Sequence, residues 1–239
     1  MPQEGIELLK HEDILSFEEI VEMTKAAVAM GITKVRLTGG EPLARRGIVE
    51  LVRAIGAIDG IKDFAMTTNG TLLSEYAQSL VDAGLHRVNI SLDTVDPDRY
   101  KKITRLGSVE RVFVGIEAAK KAGLAPIKLN CVIGEFSHET DAEAVKEFGR
   151  KNGIEVRIIR QMTFETGSFS IVEGGSGGDC PRCNRLRLSS DGKIRPCLFS
   201  DIYFDVRLLG AHEAIRQALA KKPDAGGSCR NAKMHRIGG

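Results

Sequence analysis

Helix-type and strand-type hydrophobic patterns alternate between Ile20 and Met162, and this alternation limits the fold more than any other feature of the sequence. Short apolar segments end at small or polar residues, and each follows an amphipathic stretch with helical spacing. The segments are KVRLTGG, FAMTTNG, RVNISLD, IKLNCVIG and EVRIIRQM, which end at Gly40, Gly70, Asp93, Gly134 and Met162. Strands that alternate with helices in this way predict a parallel α/β fold.

The first break in the alternation lies at Thr166 to Asp179, where five glycines occur in fourteen residues. Such a density is typical of a flexible joint, so we predict one domain over 1–165 and a C-terminal segment over 166–239. The formal net charge is only +2 and basic residues form no run, which argues against a nucleic-acid partner. Neither a signal peptide nor a run of about 18 apolar residues is visible, so we expect no membrane partner and a cytoplasmic location.

The ends of the predicted strands are where a ligand is expected. In parallel α/β folds, ligands bind at the carboxyl ends of the strands, where loops present unpaired N–H groups. Gly39 and Gly40 would let a ligand approach the backbone, and Arg36, Lys128 and Arg157 lie just before the strand ends. Two interpretations stay open from the residues alone: tight turns with cations in ordinary ion pairs, or a pocket for an anionic ligand that bears an amino-acid group.

Three cysteines, Cys180, Cys183 and Cys197, form a C-x2-C-x13-C pattern within DCPRCNRLRLSSDGKIRPCLF. In a reducing compartment, a close group of thiols more often binds a metal or does chemistry than forms disulfides. A C-x2-C turn suits an iron–sulfur cluster. Tetrahedral zinc would need a fourth ligand, which Cys229 or His235 would have to supply. Spacing alone does not separate the two metals.

The other cysteines and the chain end carry weaker signals. Cys131 lies in an apolar strand segment, where we expect buried packing. Cys229 lies in the loose stretch DAGGSCRNA and receives no role. The terminal Gly238 and Gly239 are by default a frayed end.

The motifs LTGGEP, TTNG and ISLD, followed by CPRCNRLRLSSDGKIRPCLF and a terminal Gly-Gly, resemble the molybdenum-cofactor biosynthesis protein A family. These proteins are the GTP 3′,8-cyclases, lyases of the radical S-adenosylmethionine (SAM) superfamily. The likeness runs from Met1 to Gly239 and implies an incomplete (βα)6 partial TIM barrel with a C-terminal iron–sulfur segment. In the complete family, a 5′-deoxyadenosyl radical abstracts hydrogen from the ribose of GTP, and the product is (8S)-3′,8-cyclo-7,8-dihydroguanosine 5′-triphosphate.

The resemblance also implies which residues bind each group. Contacts to SAM would come from Gly39, Gly40, Glu41, Ser91 and Met162, with Glu41 in the loop that receives the methionyl amine. Contacts to GTP would come from Arg36, Thr67, Lys128, Arg185, Leu186 and Arg187. The catalytic residues would be Arg185, Arg187, Gly238 and Gly239. Three irons of a 4Fe–4S cluster would be bound by Cys180, Cys183 and Cys197, and the fourth iron would stay open to the guanine base.

The sequence departs from the family pattern in two places. The family carries a C-x3-C-x2-C motif for the 4Fe–4S cluster that reduces SAM, and the five cysteines here do not form one. MPQEGIELL resembles the segment after that motif, so we expect a truncated chain without the first barrel strand that does not cleave SAM. The stretch between Met162 and Cys180 is also shorter than in many members.

The family further implies partners other than GTP and SAM. They are an electron donor such as flavodoxin or ferredoxin, the downstream cyclic pyranopterin monophosphate synthase, and a second copy in a homodimer. Two alternatives of other classes stay open, namely a catalytically silent homologue that binds GTP or a cluster, and a zinc-binding module. Metal analysis would separate zinc from iron.

Overall fold

The computed structural model describes residues 9–162, 167, 169–227 and 229. The chain divides into two compact units. The sheet unit consists of Lys34–Met162 and Phe169–Asp179, and the terminal unit consists of Met1–Thr33, Thr163–Ser168 and Cys180–Gly239. Within the described ranges, no helix combines the length and the apolar composition that a membrane crossing requires.

The sheet unit is built on five parallel strands whose spatial order equals their order along the chain. They are β1 (Lys34–Leu37), β2 (Asp63–Thr68), β3 (Arg87–Ser91), β4 (Lys128–Ile133) and β5 (Glu155–Arg160). Four strands lie within the segments that the alternation predicts, and β2 begins at Asp63, one residue before its predicted segment. The parallel α/β prediction is therefore confirmed.

Helices connect these strands, and local chemistry sets their ends. They are α2 (Ile48–Gly56), α3 (Leu73–Asp82), α4 (Pro97–Thr104), α5 (Val109–Ala122) and α6 (Glu139–Asn152). At the start of α5, Ser108 Oγ accepts a hydrogen bond from Arg111 N at 3.4 Å, which satisfies one of the free donors of the first turn. The helix ends at Gly123, whose φ of 92° is the left-handed conformation that glycine adopts without strain.

Alternation along the strands separates an apolar face from a polar one. Phe64 and Met66 of β2 and Ile90 of β3 are fully buried. The helix layer lies close to this face, because a Cβ placed on Gly115 of α5 would come within 2.3 Å of the carbonyl oxygen of Gly70. Glycine at 115 is thus required by the packing of α5 against the loop after β2.

Residues Phe169–Asp179 pack on the sheet unit instead of forming the loose joint that their glycines predict. Ile158 N donates to Glu173 O at 3.1 Å, and Glu173 N donates to Ile158 O at 3.2 Å. This antiparallel bridge covers part of the outer edge of β5. A Cβ on Gly174 would lie 2.5 Å from Val156 O. Gly174 therefore serves close backbone approach at this edge, whereas a Cβ on Gly178 would clash with Ser170 O of its own segment.

The terminal unit combines both ends of the described chain. Its elements are α1 (Phe17–Ala29), β6 (Arg187–Leu188), β7 (Lys193–Arg195), β8 (Phe204–Asp205), α7 (Val206–Leu209) and α8 (Ala211–Ala220). The three strands form an antiparallel sheet in the order β6-β7-β8. The core shared by α1, α8 and this sheet consists of Leu15, Met23, Ala26, Ile194, Val206, Ala214, Ile215 and Ala218.

This division differs from the predicted boundary at residue 166. The sequence assigns the helix of residues 17–29 to the first domain, whereas in the structure its apolar side packs with α8. Arg207 reinforces the arrangement: its guanidinium donates to Glu19 Oε1 at 2.7 Å, to Glu19 Oε2 at 3.0 Å and to Glu12 O at 3.1 Å. The hydrogen bonds from Arg207 lower the pKa of Glu19 to about 2. A helix pattern shows which side is apolar, but it does not show what covers that side.

Candidate functional site

The loops after β1 and β2 are joined by the carboxylate of Glu41. Its Oε1 accepts from Thr68 Oγ1 at 2.7 Å and from Leu43 N at 3.0 Å, and its Oε2 accepts from Asn69 N at 2.7 Å. Glu41 also precedes a 3-10 turn at Pro42–Ala44. The carboxylate thus holds two strand-end loops together. The predicted contact between this loop and the methionyl amine of SAM stays a prediction.

Beside Glu41, the backbone of Gly39 and Gly40 is exposed. A Cβ on either residue would meet no atom of the described chain within 4 Å, in contrast to Gly115. Packing within the described residues therefore does not demand glycine at Gly40, whereas at Gly39 the φ of 157° itself favours glycine. Bare backbone that faces open space is what a closely bound ligand needs.

One face of the five-stranded sheet, opposite to the buried Phe64 and Met66, carries polar side chains; we call it the polar face. Strand register places side chains of neighbouring strands side by side on one face. The first row joins Thr67, Asn89, Lys128 and Glu155, and the next row toward the carboxyl ends joins Ser91, Asn130 and Arg157. Arg36 lies on the same face, in register with Ala65. The structure thus brings together the predicted residues Arg36, Thr67, Ser91, Lys128 and Arg157.

Two of these cations have a carboxylate partner within the polar face. Lys128 Nζ lies 2.6 Å from Glu155 Oε2, and Arg157 Nε lies 3.4 Å from Glu155 Oε1. The hydrogen bond from Lys128 lowers the pKa of Glu155, and burial opposes this effect. Ordinary ion pairing, one of the two interpretations open from the sequence, therefore holds for Lys128 and Arg157. The three side chains together leave one net positive charge.

Sequence reasoning missed two asparagines of the polar face. Asn89 is fully buried, and its Oδ1 accepts from Arg87 Nη1 at 3.3 Å. Arg87 in turn forms a two-pronged pair with Asp63, with 2.7 Å for each hydrogen bond. Asn130 Oδ1 is buried and has no hydrogen-bond partner among the described residues. A polar residue that interrupts an apolar strand segment, as in RVNIS and KLNCVI, was the signal available.

In the terminal unit, Cys180 and Cys183 lie on one turn. Cys183 N donates to Cys180 O at 3.0 Å, and the 3-10 turn spans Cys180–Arg182. Cys197 follows β7, and its Sγ accepts from Phe199 N at 3.4 Å. Among the residues that the structure describes, no three His, Cys, Asp or Glu side chains are arranged to hold a metal ion. The thiol donors suit an iron–sulfur cluster chemically.

Arg187 lies in β6 beside these cysteines, opposite Arg195 of β7. Burial lowers the pKa of Arg187, the charge of Arg185 lowers it further, and the sulfurs of Cys183 and Cys197 raise it. The guanidinium is therefore within electrostatic reach of both cysteines. Arg185 is exposed.

The remaining predicted residues are Leu186, Met162, Gly238 and Gly239. Leu186 packs against the core of the terminal unit, so its side chain is committed to the fold, and only its backbone could meet GTP. Met162 follows β5 and is half-buried. Gly238 and Gly239 lie outside the described residues.

The two other cysteines are buried with hydrogen-bond acceptors. Cys131 is fully buried in β4, its Sγ lies 3.7 Å from Asp93 O, and burial raises the pKa of its thiol to about 12. Its predicted packing role is confirmed. Cys229 Sγ lies 3.1 Å from Asp201 Oδ1. The thiol of Cys229 thus has an acceptor of its own.

Comparison with known proteins gives the family. Residues 4–149 match the Radical SAM superfamily. The GTP 3′,8-cyclase of Thermodesulfovibrio yellowstonii is 37% identical over an alignment of 271 positions, which covers 92% of this chain and 84% of that protein. The GTP 3′,8-cyclase of Peptoclostridium acidaminophilum is 40% identical over an alignment of 250 positions, which covers 86% of this chain and 77% of that protein.

A solved structure supports the fold independently. SuiB of Streptococcus suis, bound to S-adenosylmethionine, superimposes with a TM-score of 0.57 at 14% identity and covers 88% of this chain and 59% of SuiB. At this identity the likeness concerns the fold alone, and it confirms the radical SAM type of partial barrel. The chain belongs to the GTP 3′,8-cyclase family of the radical SAM superfamily.

Proposed function

We propose that this chain serves molybdenum cofactor biosynthesis as a GTP 3′,8-cyclase-like protein that binds GTP, SAM and one iron–sulfur cluster. The observation that supports this most is the position of Arg187 in β6, opposite Arg195 of β7, in a strand pair that follows Cys183 and precedes Cys197 in the chain. A structural metal site needs no arginine beside its thiolates. A site for an anionic nucleotide does, because the guanidinium fork matches phosphate and carboxylate oxygens.

Cys180, Cys183 and Cys197 are the proposed cluster ligands. Thiolates are the ligands that iron–sulfur clusters use, and two of these cysteines already share a turn. When bound, the cluster would supply an open iron that takes a nitrogen of the guanine base. Arg185 and Arg187 would hold the nucleotide by hydrogen bonds to its anionic oxygens. Leu186 would contribute backbone groups only, because its side chain is in the core.

In the sheet unit, the polar face and the loops at its carboxyl end are the proposed sites for SAM and for phosphate oxygens. Gly39 and Gly40 would admit the amino-acid part of SAM to the backbone, and Ser91 would donate or accept through its hydroxyl. Lys128 would reach phosphate oxygens while it shares its charge with Glu155. Arg36, Thr67 and Met162 keep the roles that the family implies for them, as proposals.

The radical-forming step is not assigned to these 239 residues, because their five cysteines include no C-x3-C-x2-C motif. We propose that they bind substrate without cleaving SAM. A flavodoxin- or ferredoxin-type electron donor, the synthase that acts on the product, a homodimer and a cytoplasmic location are further parts of the same proposal.

Anaerobic reconstitution of the 239-residue chain tests the proposal. With iron and sulfide, we expect close to one cluster, or about four irons per chain, a brown chromophore and measurable GTP affinity. We also expect no 5′-deoxyadenosine under dithionite. Retention of zinc alone, two clusters per chain, or GTP affinity that does not depend on the chromophore would contradict it.

A further inference from the structure

Lys222 follows α8 and places its ammonium group among three acceptors of the terminal unit. Its Nζ donates to Arg185 O at 2.7 Å, to Pro196 O at 2.9 Å and to Cys183 Sγ at 3.7 Å. An ammonium group has three N–H donors. All three are therefore used, and none of the three acceptors belongs to α8 itself.

These acceptors come from the two chain segments that carry the cysteines. Arg185 stands two positions after Cys183, and Pro196 directly precedes Cys197. A single side chain thus ties the C-x2-C turn to the residue before the third cysteine. The backbone that carries Lys222 is held in place, because Ala214, Ile215 and Ala218 pack α8 into the core.

The usual role of a lysine at a helix C-terminus is different. Such a lysine interacts with the last carbonyl groups of its own helix, or it extends into solvent, as the neighbouring Lys221 does with its exposed side chain. Lys222 is half-buried and points to other segments. Three rotatable donors on a compact charge suit acceptors that approach from separate directions, which a planar guanidinium would match less well.

We propose that Lys222 is a positioning residue for the three-cysteine site: it holds the Cys183 turn beside the Cys197 segment and offsets the negative charge of the thiolates. The inference rests on the proposed cluster at Cys180, Cys183 and Cys197. It concerns a lysine that no motif in the sequence singles out.

The test compares Lys222→Met, which removes charge and donors, with Lys222→Arg, which keeps the charge, and with Lys221→Met as the matched control. In the metal-free chain, we expect Lys222→Met to speed hydrogen–deuterium exchange in residues 180–187 and 193–197 together. In the reconstituted chain, we expect its cluster to be lost to a chelator at least several-fold faster and to show a more negative midpoint potential. Lys222→Arg should keep the potential close to that of the unmodified chain and recover part of the cluster lifetime.

The outcomes separate this inference from the proposed function. Equal exchange rates and equal cluster lifetimes in Lys222→Met and Lys221→Met would overturn the role of Lys222. A midpoint potential that Lys222→Met leaves unchanged would overturn the charge part of the proposal. If the unmodified chain bound no iron, the proposed function would fail, and the exchange rates of the metal-free variants would still decide whether Lys222 joins the two segments.

Discussion

Lys128 of the sheet unit and Lys222 of the terminal unit are both half-buried, but their acceptors differ in charge. Lys128 Nζ faces the carboxylate of Glu155 at 2.6 Å. Lys222 Nζ faces two backbone carbonyls and the sulfur of Cys183. A carboxylate cancels the charge of an ammonium group, whereas a carbonyl dipole only orients it. Lys128 is therefore balanced before any anion arrives, and Lys222 keeps its positive charge beside the cysteines.

This difference suggests a division of tasks between the units. The ion pairs of the polar face balance charge in the sheet unit before any ligand binds. The terminal unit instead collects Arg187 and Lys222 around thiols that would carry negative charge on binding a metal. A substitution in one unit, compared with a matched control residue, therefore tests one side of this comparison at a time.

The largest effect is expected from cysteine replacements in the two units. Cys197→Ala should abolish the brown chromophore and GTP affinity together, because the proposed cluster would both anchor the base and tie the segment. Cys131→Ala, in the sheet unit, should lower the thermal midpoint through lost packing and leave the iron content unchanged. Iron analysis and GTP titration of both reconstituted variants measure the cluster content and the nucleotide affinity. Full iron content in Cys197→Ala would remove the basis of the comparison.

The next effect concerns nucleotide affinity in the terminal unit. Arg187→Ala should leave the chromophore intact and weaken GTP binding by about 1.5–3 kcal/mol, the usual worth of a hydrogen bond to a charged group, or roughly tenfold or more. Arg187→Lys should recover part of the loss, because a point charge cannot reproduce a planar fork. Arg216→Ala is the control, since Arg216 pairs with Glu213 on the exposed side of α8. Equal GTP affinity in both Ala variants, with intact clusters, would mean that Arg187 does not bind the nucleotide and has a structural role only.

A smaller effect, an increase in GTP affinity, is expected from a substitution on the polar face. Glu155→Gln removes the carboxylate that balances Lys128 and Arg157. GTP should then bind about two- to fivefold tighter, the worth of removing roughly 0.5–1 kcal/mol of repulsion at a partly exposed site. Glu147→Gln, which breaks an exposed pair on α6, is the control. Weaker or unchanged binding in Glu155→Gln would show that the cations of this face do not meet the phosphates.

The smallest effect is the response of the ion pairs to pH. The hydrogen bonds from Arg87 lower the pKa of Asp63. A carboxyl whose pKa is lower in the folded chain stabilises the fold above its ordinary pKa and loses that contribution as pH falls through the lowered value. Asp63→Asn should therefore cost about 1 kcal/mol of unfolding free energy near neutral pH, and the difference should shrink below about pH 4.

Urea unfolding between neutral and acidic pH measures this difference. Glu19→Gln in the terminal unit should also lower the unfolding free energy near neutral pH and do so less at acidic pH, because Arg207 lowers the pKa of Glu19 to about 2. A cost that stays constant with pH in Asp63→Asn would mean that its charge does not matter to stability.

Much of the sheet unit follows from local patterns in the sequence. All five strands coincide with the apolar segments to within one residue, and Cys131 is buried as its segment predicts. Hydrophobic periodicity records which side of a strand is buried, and this is a local property of the chain. The strand ends also indicate where polar site residues belong, because parallel strands present their carboxyl ends at one edge.

The candidate site could be predicted only as a set of residues, not as a set of contacts. Strand register decides that Lys128 stands beside Glu155, and register depends on pairing with other strands. Leu186 lies in a sequence motif that predicts ligand binding, but its side chain packs against the core of the terminal unit. Lys222 carries no motif at all, because its role depends on acceptors 26 to 39 positions away along the chain.

The sequence by itself determined the α/β class, the five strands and the three clustered cysteines, since each of these is written in the spacing of neighbouring residues. Tertiary structure alone decided that α1 shares a core with α8 and that Gly174 lies against the backbone of β5. The physical reason is the same in both cases. An apolar helix face or a bare glycine backbone can be covered by many partners, and the choice among them depends on packing over the whole folded chain.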